Sequence, residues 1–224
     1  MKSKITWAVV AELLILLVCF IIRPDFFSIS FQKSTGMLYG SLIDILNRSS
    51  EITIIALGMT LVIALAGTDL SVGALVAVSG ALVLKLMRWD MTEYPTAGDY
   101  TVTPMLWAIL AGIGLCALMG GFNGLLIAKF KLQPIIATLV LMVAGRGVAQ
   151  IITNGRQMTT AYTPFKLISQ GSFLCLPMPI IITAVIFLLM ALLCRKTSFG
   201  MFVESVGVNP NASRVSGLNS TLII

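Results

Sequence analysis

The stretch ITIIALGMTLVIALAGTDLSVGALVAVSGALVLKLM, residues 52–87, decides the fold class. It holds two apolar runs, 52–66 and 72–87, parted only by Gly67-Thr68-Asp69-Leu70-Ser71. Each run is slightly short of the roughly 20 mostly apolar residues that cross a bilayer as a helix. The pair therefore reads as a tight helical hairpin or as one broken membrane helix. Asp69 beside such a helix is costly unless it meets water, a partner or a helix N-terminus. Asp69 or Ser71 is accordingly expected to accept backbone N–H bonds at the start of the second run. A capped or broken helix beside a pore also exposes backbone dipoles to a solute, which makes both residues candidates for a transport path.

Working outward, four further runs approach the length of a span: 7–22, 105–128, 135–152 and 180–194. The first follows Lys2 and Lys4 but ends in Arg23-Pro24-Asp25 rather than a small-x-small cleavage site, so it reads as a retained helix. The run 105–128 carries Gly112, Gly114, Gly120, Gly121 and Gly124, small residues that let helices approach in lipid, and is expected to be a packing helix. The run 135–152 follows Gln133-Pro134, and proline suits a first helical turn. The run 180–194 closes on Arg195-Lys196.

Composition points the same way. Apolar residues make up 58% of the chain and charged ones 11%, against roughly 45–50% and 25% in a soluble domain. With a mean hydropathy of +1.00, too few polar side chains remain to coat a soluble fold, so lipid is the solvent for most of the chain. The chain has no His, which removes imidazole acid–base chemistry, a Ser-His-Asp relay and the commonest metal ligand. No catalytic group and no metal site is expected. Cys19, Cys116, Cys175 and Cys194 show no CxxC pairing and read as small apolar side chains. The net charge of +6 is scattered, mostly at the ends of apolar runs, which fits membrane anchoring and not nucleic acid.

The fold expected is an all-α membrane protein, a polytopic bundle of about six transmembrane helices with the start of a seventh, forming one permease domain over 1–224. Six spans put both ends on one side. The Lys and Arg tally is even between the two sides, but Lys2, Lys4, Lys129, Lys131, Arg195 and Lys196 hug helix ends without nearby acids, whereas Arg88 shares its loop with Asp90, Glu93 and Asp99. That asymmetry places the N-terminus in the cytoplasm. The polar stretch 197–220 is then a cytoplasmic element, and Thr221-Leu222-Ile223-Ile224 reads as the opening of a seventh helix in an incomplete chain.

Other polar residues interrupt the membrane runs. Arg146, in Ala144-Gly145-Arg146-Gly147, is either an interior, cavity-facing arginine or a structural one that snorkels or bonds carbonyls. Asn123, Thr138 and Gln150 suit sugar hydroxyls and helix packing equally. On composition, residues 195–218 form a basic-ended loop with one or two short helices broken at Gly207 and Asn209-Pro210.

This last segment resembles the cytoplasmic coupling loop of permeases in the ribose, galactose and galactofuranose branch of ABC importers. The likeness rests on Phe199-Gly200, Val206-Gly207-Val208-Asn209, Ala212 and Ser216-Gly217-Leu218. Further matches follow the same order as in that family: residues 43–48, which include Asn47, then Gly58 to Ile63, Asp69-Leu70-Ser71-Val72-Gly73, Phe122 to Ala128, Gln133 to Leu139 and Gly145-Arg146-Gly147. The chain is most similar to the galactofuranose-type members. It departs from the family in having Ala66-Gly67-Thr68 where two glycines and an isoleucine are usual, and the likeness covers only the front two-thirds of the family's pattern.

The resemblance implies a bacterial inner-membrane permease for a monosaccharide, working by alternating access. Its implied partners are a second permease subunit, a pair of cytoplasmic ABC ATPase domains and a periplasmic sugar-binding protein. ATP would sit on the ATPase, since this chain has no GxxxxGK[ST] loop, and no cofactor is bound by the chain itself. Phe199, Gly200, Glu204, Gly207, Asn209, Ala212, Arg214 and Gly217 become candidates for ATPase coupling, the two glycines by permitting close approach. Asn47, Asp69, Ser71, Asn123, Thr138, Arg146 and Gln150 become candidates for the solute path. Two rivals stand beside this reading: an ion-coupled secondary transporter, which lacks an obvious buried ion site here, and a non-transporting truncated remnant.

Overall fold

The computed structural model describes residues 2–32, 37–87, 104–160, 163–173, 175–219 and 223. All six apolar runs are helices: α1 (Lys2–Ile22), α2 (Ser41–Ala64), α3 (Val72–Met87), α4 (Met105–Ala128), α5 (Pro134–Thr153) and, after the short amphipathic α6 (Thr163–Gln170), α7 (Met178–Lys196). Two more short helices follow, α8 (Ser198–Val208) and α9 (Pro210–Val215). Among the described residues four helices, α2, α4, α5 and α7, are long and apolar enough to cross a membrane. The chain is an all-α polytopic membrane protein. At 16 residues α3 is about 24 Å long at 1.5 Å per residue, short of the roughly 30 Å hydrocarbon core. The loop holding Arg88, Asp90, Glu93 and Asp99 lies outside the described residues. So does the expected seventh helix, apart from Ile223.

The chain divides into two compact units, Met1–Thr53 with Leu167–Val185 and Ile54–Lys166 with Ile186–Ile224. In the first, α1 beyond Glu12 exposes apolar residues on every side, as a helix solvated by lipid does. Two small antiparallel ribbons follow from loops that the sequence reading left unassigned. β1 (Ser30–Gln32) pairs with β2 (Met37–Tyr39), and β3 (Ser172–Phe173) pairs with β4 (Leu176–Pro177). The Leu38 amide donates to the Cys175 carbonyl at 2.9 Å and ties the two ribbons together. The α2 helix starts eleven residues before the apolar run 52–66, because its polar first half satisfies its own hydroxyls. Ser50 Oγ donates to the Leu46 carbonyl at 2.7 Å and Thr53 Oγ1 to that of Ser49 at 2.8 Å. Thr183 Oγ1 of α7 donates to the Ser50 carbonyl at 3.2 Å.

In the second unit α3 packs against both α4 and α5. Its buried residues fall on two stripes at helical spacing, Ala74, Val78 and Ala81 on one and Val83 and Met87 on the other. Two glycines set the approach: a Cβ on Gly112 of α4 would lie 2.6 Å from Val83 Cγ2, and one on Gly145 of α5 would lie 3.0 Å from Ala74 Cβ. Small residues at such crossings let backbones close and gain dispersion contact, the main attraction between helices in lipid. For α4 the expectation of a glycine-packed helix needs correction. Gly112 alone of its glycines is buried, Gly114, Gly120 and Gly121 have open space where a side chain would go, and Leu106, Trp107, Leu110, Ile113, Leu118 and Phe122 are exposed.

Helix ends in this unit are closed by left-handed residues. Asn154 (φ 52°) follows α5, with the Gly155 amide donating to the Gln150 carbonyl at 2.9 Å. Ala66 (φ 57°) follows α2, with the Gly67 amide donating to Val62 at 3.0 Å. Both are the return bonds of a helix C-cap. Ala66 stands where glycine is favoured, and its Cβ costs about 1–2 kcal/mol there.

Candidate functional site

The turn between α2 and α3 is organised by Asp69. Its Oδ1 accepts from the Ser71 amide at 2.7 Å and from Ser71 Oγ at 2.6 Å. The Ser71 carbonyl in turn accepts from the amides of Ala74 and Leu75 at 2.9 and 3.0 Å and so begins α3. Asp69 therefore fixes the residue that opens the helix, through a side-chain turn. Ser71, only 1% exposed, spends its hydroxyl proton on Asp69.

Beside this turn lies a cavity of about 240 Å³. Its walls are Val62 in the last turn of α2, the linking residues Leu65 to Asp69 and Ser71, the end of α4 (Gly120, Asn123, Gly124, Ile127) and the start of α5 (Pro134, Thr138). At about 30 Å³ per water this is room for roughly eight waters, just under the lower end of ordinary ligand pockets. Asn123 is 6% exposed, and among the described residues its side chain makes no hydrogen bond. Thr138, 2% exposed, donates to the Pro134 carbonyl at 2.8 Å and keeps its oxygen lone pairs. The lining thus offers one carboxylate, one free amide and hydroxyl oxygens, with no Lys or Arg.

Four of the seven solute-path candidates, Asp69, Ser71, Asn123 and Thr138, meet at this cavity. The other three do not. Arg146 and Gln150, four residues apart on α5, are exposed on the side away from the buried stripe Thr138, Gly145 and Ala149. Asn47 lies in the other unit, half-buried, with its Oδ1 enclosed and unpartnered. Thr68 and Ile127 are not among the solute-path candidates, and Gly120 is expected only as a packing glycine. The i, i+4 pair Gly120 and Gly124, which brackets Asn123, is the signal that could have found that face of α4.

The coupling candidates form one local structure. Thr197 caps α8 by accepting from the Phe199 amide at 3.3 Å. Asn209 ends α8 and caps α9, its Oδ1 accepting from the amides of Asn211 and Ala212 at 3.1 Å each, with Pro210 in the first turn. Ser213 ties the two helices, its Oγ donating to the carbonyls of Ser205 at 2.9 Å and Asn209 at 3.0 Å. Gly217 (φ 86°) closes α9, and the Leu218 amide returns to the Ser213 carbonyl at 3.0 Å. Glu204, Ala212 and Arg214 are exposed.

Both glycines expected to allow close approach do so within the chain itself. A Cβ on Gly200 would overlap the Cys194 carbonyl oxygen, and one on Gly207 would overlap the Ala64 carbonyl oxygen and meet Leu65 Cα at 3.2 Å. Thus α8 sits with its backbone against the last turn of α2, the same turn whose Val62 lines the cavity.

Comparison with known proteins places this arrangement. The model of the family described as branched-chain amino acid transport system / permease component matches residues 41–224. The chain belongs to that family. As a permease component it is a multi-pass membrane part of a transport system and not itself an enzyme. Over its whole length it is 43% identical to a galactofuranose transporter permease protein of Escherichia coli, covering 63% of that protein. It is 38% identical, again over its whole length, to a fructose import permease protein of Bifidobacterium longum, covering 61% of it. A ribose import permease protein of Haemophilus influenzae is 32% identical over 94% of the chain and 59% of that protein. The chain spans about three-fifths of the length of these relatives. No solved structure matches it.

Proposed function

We propose that this chain forms part of the membrane subunit of an ATP-driven importer for a monosaccharide of the galactofuranose, ribose or galactose class. It acts in a bacterial inner membrane with its N-terminus in the cytoplasm. A second permease subunit, a cytoplasmic ATPase and a periplasmic sugar-binding protein complete the machine. The three relatives named for sugars support the substrate class. The family description names branched-chain amino acids instead, and the sugar reading follows the relatives' names.

The observation that carries the coupling role is the seating of α8 on α2. The α8–α9 pair is rigidly capped and leaves Met201 (66%), Val208 (82%) and Val215 (91%) exposed beside Glu204 and Arg214. Such a mixed apolar and charged face suits a protein partner. Movement of that partner on α8 is passed to the end of α2, and rigid shifts of this kind alternate the access of a pathway. Single cysteines test it. In a complete permease with its ATPase, Met201→Cys is expected to cross-link to the ATPase with a short thiol-reactive linker, whereas Leu118→Cys, on the exposed apolar side of α4, is not. Cross-linking from Leu118→Cys and none from Met201→Cys would contradict the assignment.

A further inference from the structure

We propose that the cavity beside Asp69 is a holding site for one neutral sugar ring, and that the free amide of Asn123 is the group that selects it. The site rests on the monosaccharide reading above. Asn123 is 6% exposed, makes no hydrogen bond among the described residues and lines an open cavity, so its amide is left for a solute or water in that cavity to satisfy. An amide both donates and accepts, so a vicinal diol can satisfy it with two bonds at once.

The rest of the lining suits the same ligand. Asp69 Oδ1 is spent on Ser71, and no bond among the described residues engages Oδ2, so one carboxylate oxygen remains to accept a hydroxyl proton. Thr138 has donated its proton to Pro134 and offers only lone pairs. Acceptors therefore outnumber donors, as a molecule rich in O–H groups requires. Gly120 and Gly124 leave the α4 wall without side-chain bulk, and Val62, Leu65 and Ile127 give apolar surface for the C–H face of a ring. A volume of about 240 Å³ admits one ring and excludes two.

The position of the cavity gives it a role beyond binding. Counting from the helix ends, Asn123 lies about 8 Å inside the C-terminus of α4 and Thr138 about 6 Å inside the N-terminus of α5. The site is thus one turn or so inside the end of the bundle that carries α8. Because Val62 and Leu65 line it while Ala64 carries Gly207, a shift of α8 deforms the wall of the site directly.

The test uses a complete permease with its ATPase and binding protein in proteoliposomes, with Cys19, Cys116, Cys175 and Cys194 replaced. Ile127→Cys, on the apolar wall of the cavity, is labelled with a small polar thiol reagent in the presence of D-galactose, D-fructose, D-ribose or leucine. The sugar that the wild-type complex transports is expected to slow labelling several-fold, and Phe130→Cys, outside the cavity, is expected to react at the same rate throughout. In parallel, Asn123→Leu is expected to raise the apparent KM for that sugar about ten-fold, the loss of one to two hydrogen bonds, and Asn123→Gln to recover part of it. Sugar transport by the wild type with no protection at position 127 and no change in KM in Asn123→Leu would overturn the site while leaving the functional reading intact. Transport of leucine alone, with protection by leucine alone, would overturn the functional reading and the sugar ligand together.

Discussion

Gly207→Leu in a complete permease is expected to cut ATP-driven uptake by more than ten-fold while the protein still inserts in the membrane. The reason is steric and local. The α8 backbone lies so close to the end of α2 that even a Cβ at position 207 overlaps the Ala64 carbonyl. That neighbour is helix backbone and cannot rotate away, so α8 must lift off by several ångströms. Lifting it breaks the close backbone contact of Gly207 with the turn that walls the cavity. Gly207→Ala is expected to show the same defect in weaker form. Uptake and ATP hydrolysis measured on the same vesicles separate the outcomes: hydrolysis retained with uptake lost marks uncoupling. Uptake unchanged in Gly207→Leu would mean that the seating of α8 on α2 has no part in transport.

Gly145→Leu is expected to destabilise the α3–α4–α5 bundle by about 1–3 kcal/mol, the usual cost of overpacking, and to lower its melting temperature in detergent. A Cβ there already meets Ala74 Cβ at 3.0 Å, and three further carbons force α3 and α5 apart. Gly147, two residues on, has open space where a side chain would go. Gly147→Leu is therefore the matched control and is expected to melt within a few degrees of the wild type. Equal losses at both positions would show that helix propensity and not close approach governs this face.

The sequence shows some parts of this architecture clearly and others not at all, for physical reasons. The runs 72–87 and 105–128 coincide with α3 and α4 to the residue, because Ser71 and Pro104 stand directly before them and apolarity ends where the helices end. The start of α2 was hidden, since Asp44, Asn47, Arg48 and Glu51 break the apolar run without breaking the helix. The ribbons formed by β1 to β4 left no periodic signal, being two or three residues per strand. At the site, helical spacing carried more than residue type did. Thr138, Gly145 and Ala149 fall on one stripe of α5, and Arg146 and Gln150 fall on another, so a wheel drawn through α5 separates the residue that lines the cavity from the two that do not. The contact of Gly207 with Ala64 had no such signature. It joins residues far apart in sequence, and Gly207, expected to break a helix, lies inside α8 instead, with no hint in the sequence of which backbone it meets.

The central claim is that this permease chain serves an ATP-driven monosaccharide importer, and substrate transport tests it most directly. A complete permease, its ATPase and its binding protein are reconstituted in proteoliposomes, and accumulation of labelled galactose, fructose, ribose and leucine is followed with and without ATP. The account predicts concentrative uptake of a monosaccharide only when ATP is supplied to the ATPase side, and no uptake of leucine. Accumulation of leucine, or sugar flux that is the same without ATP, would contradict it.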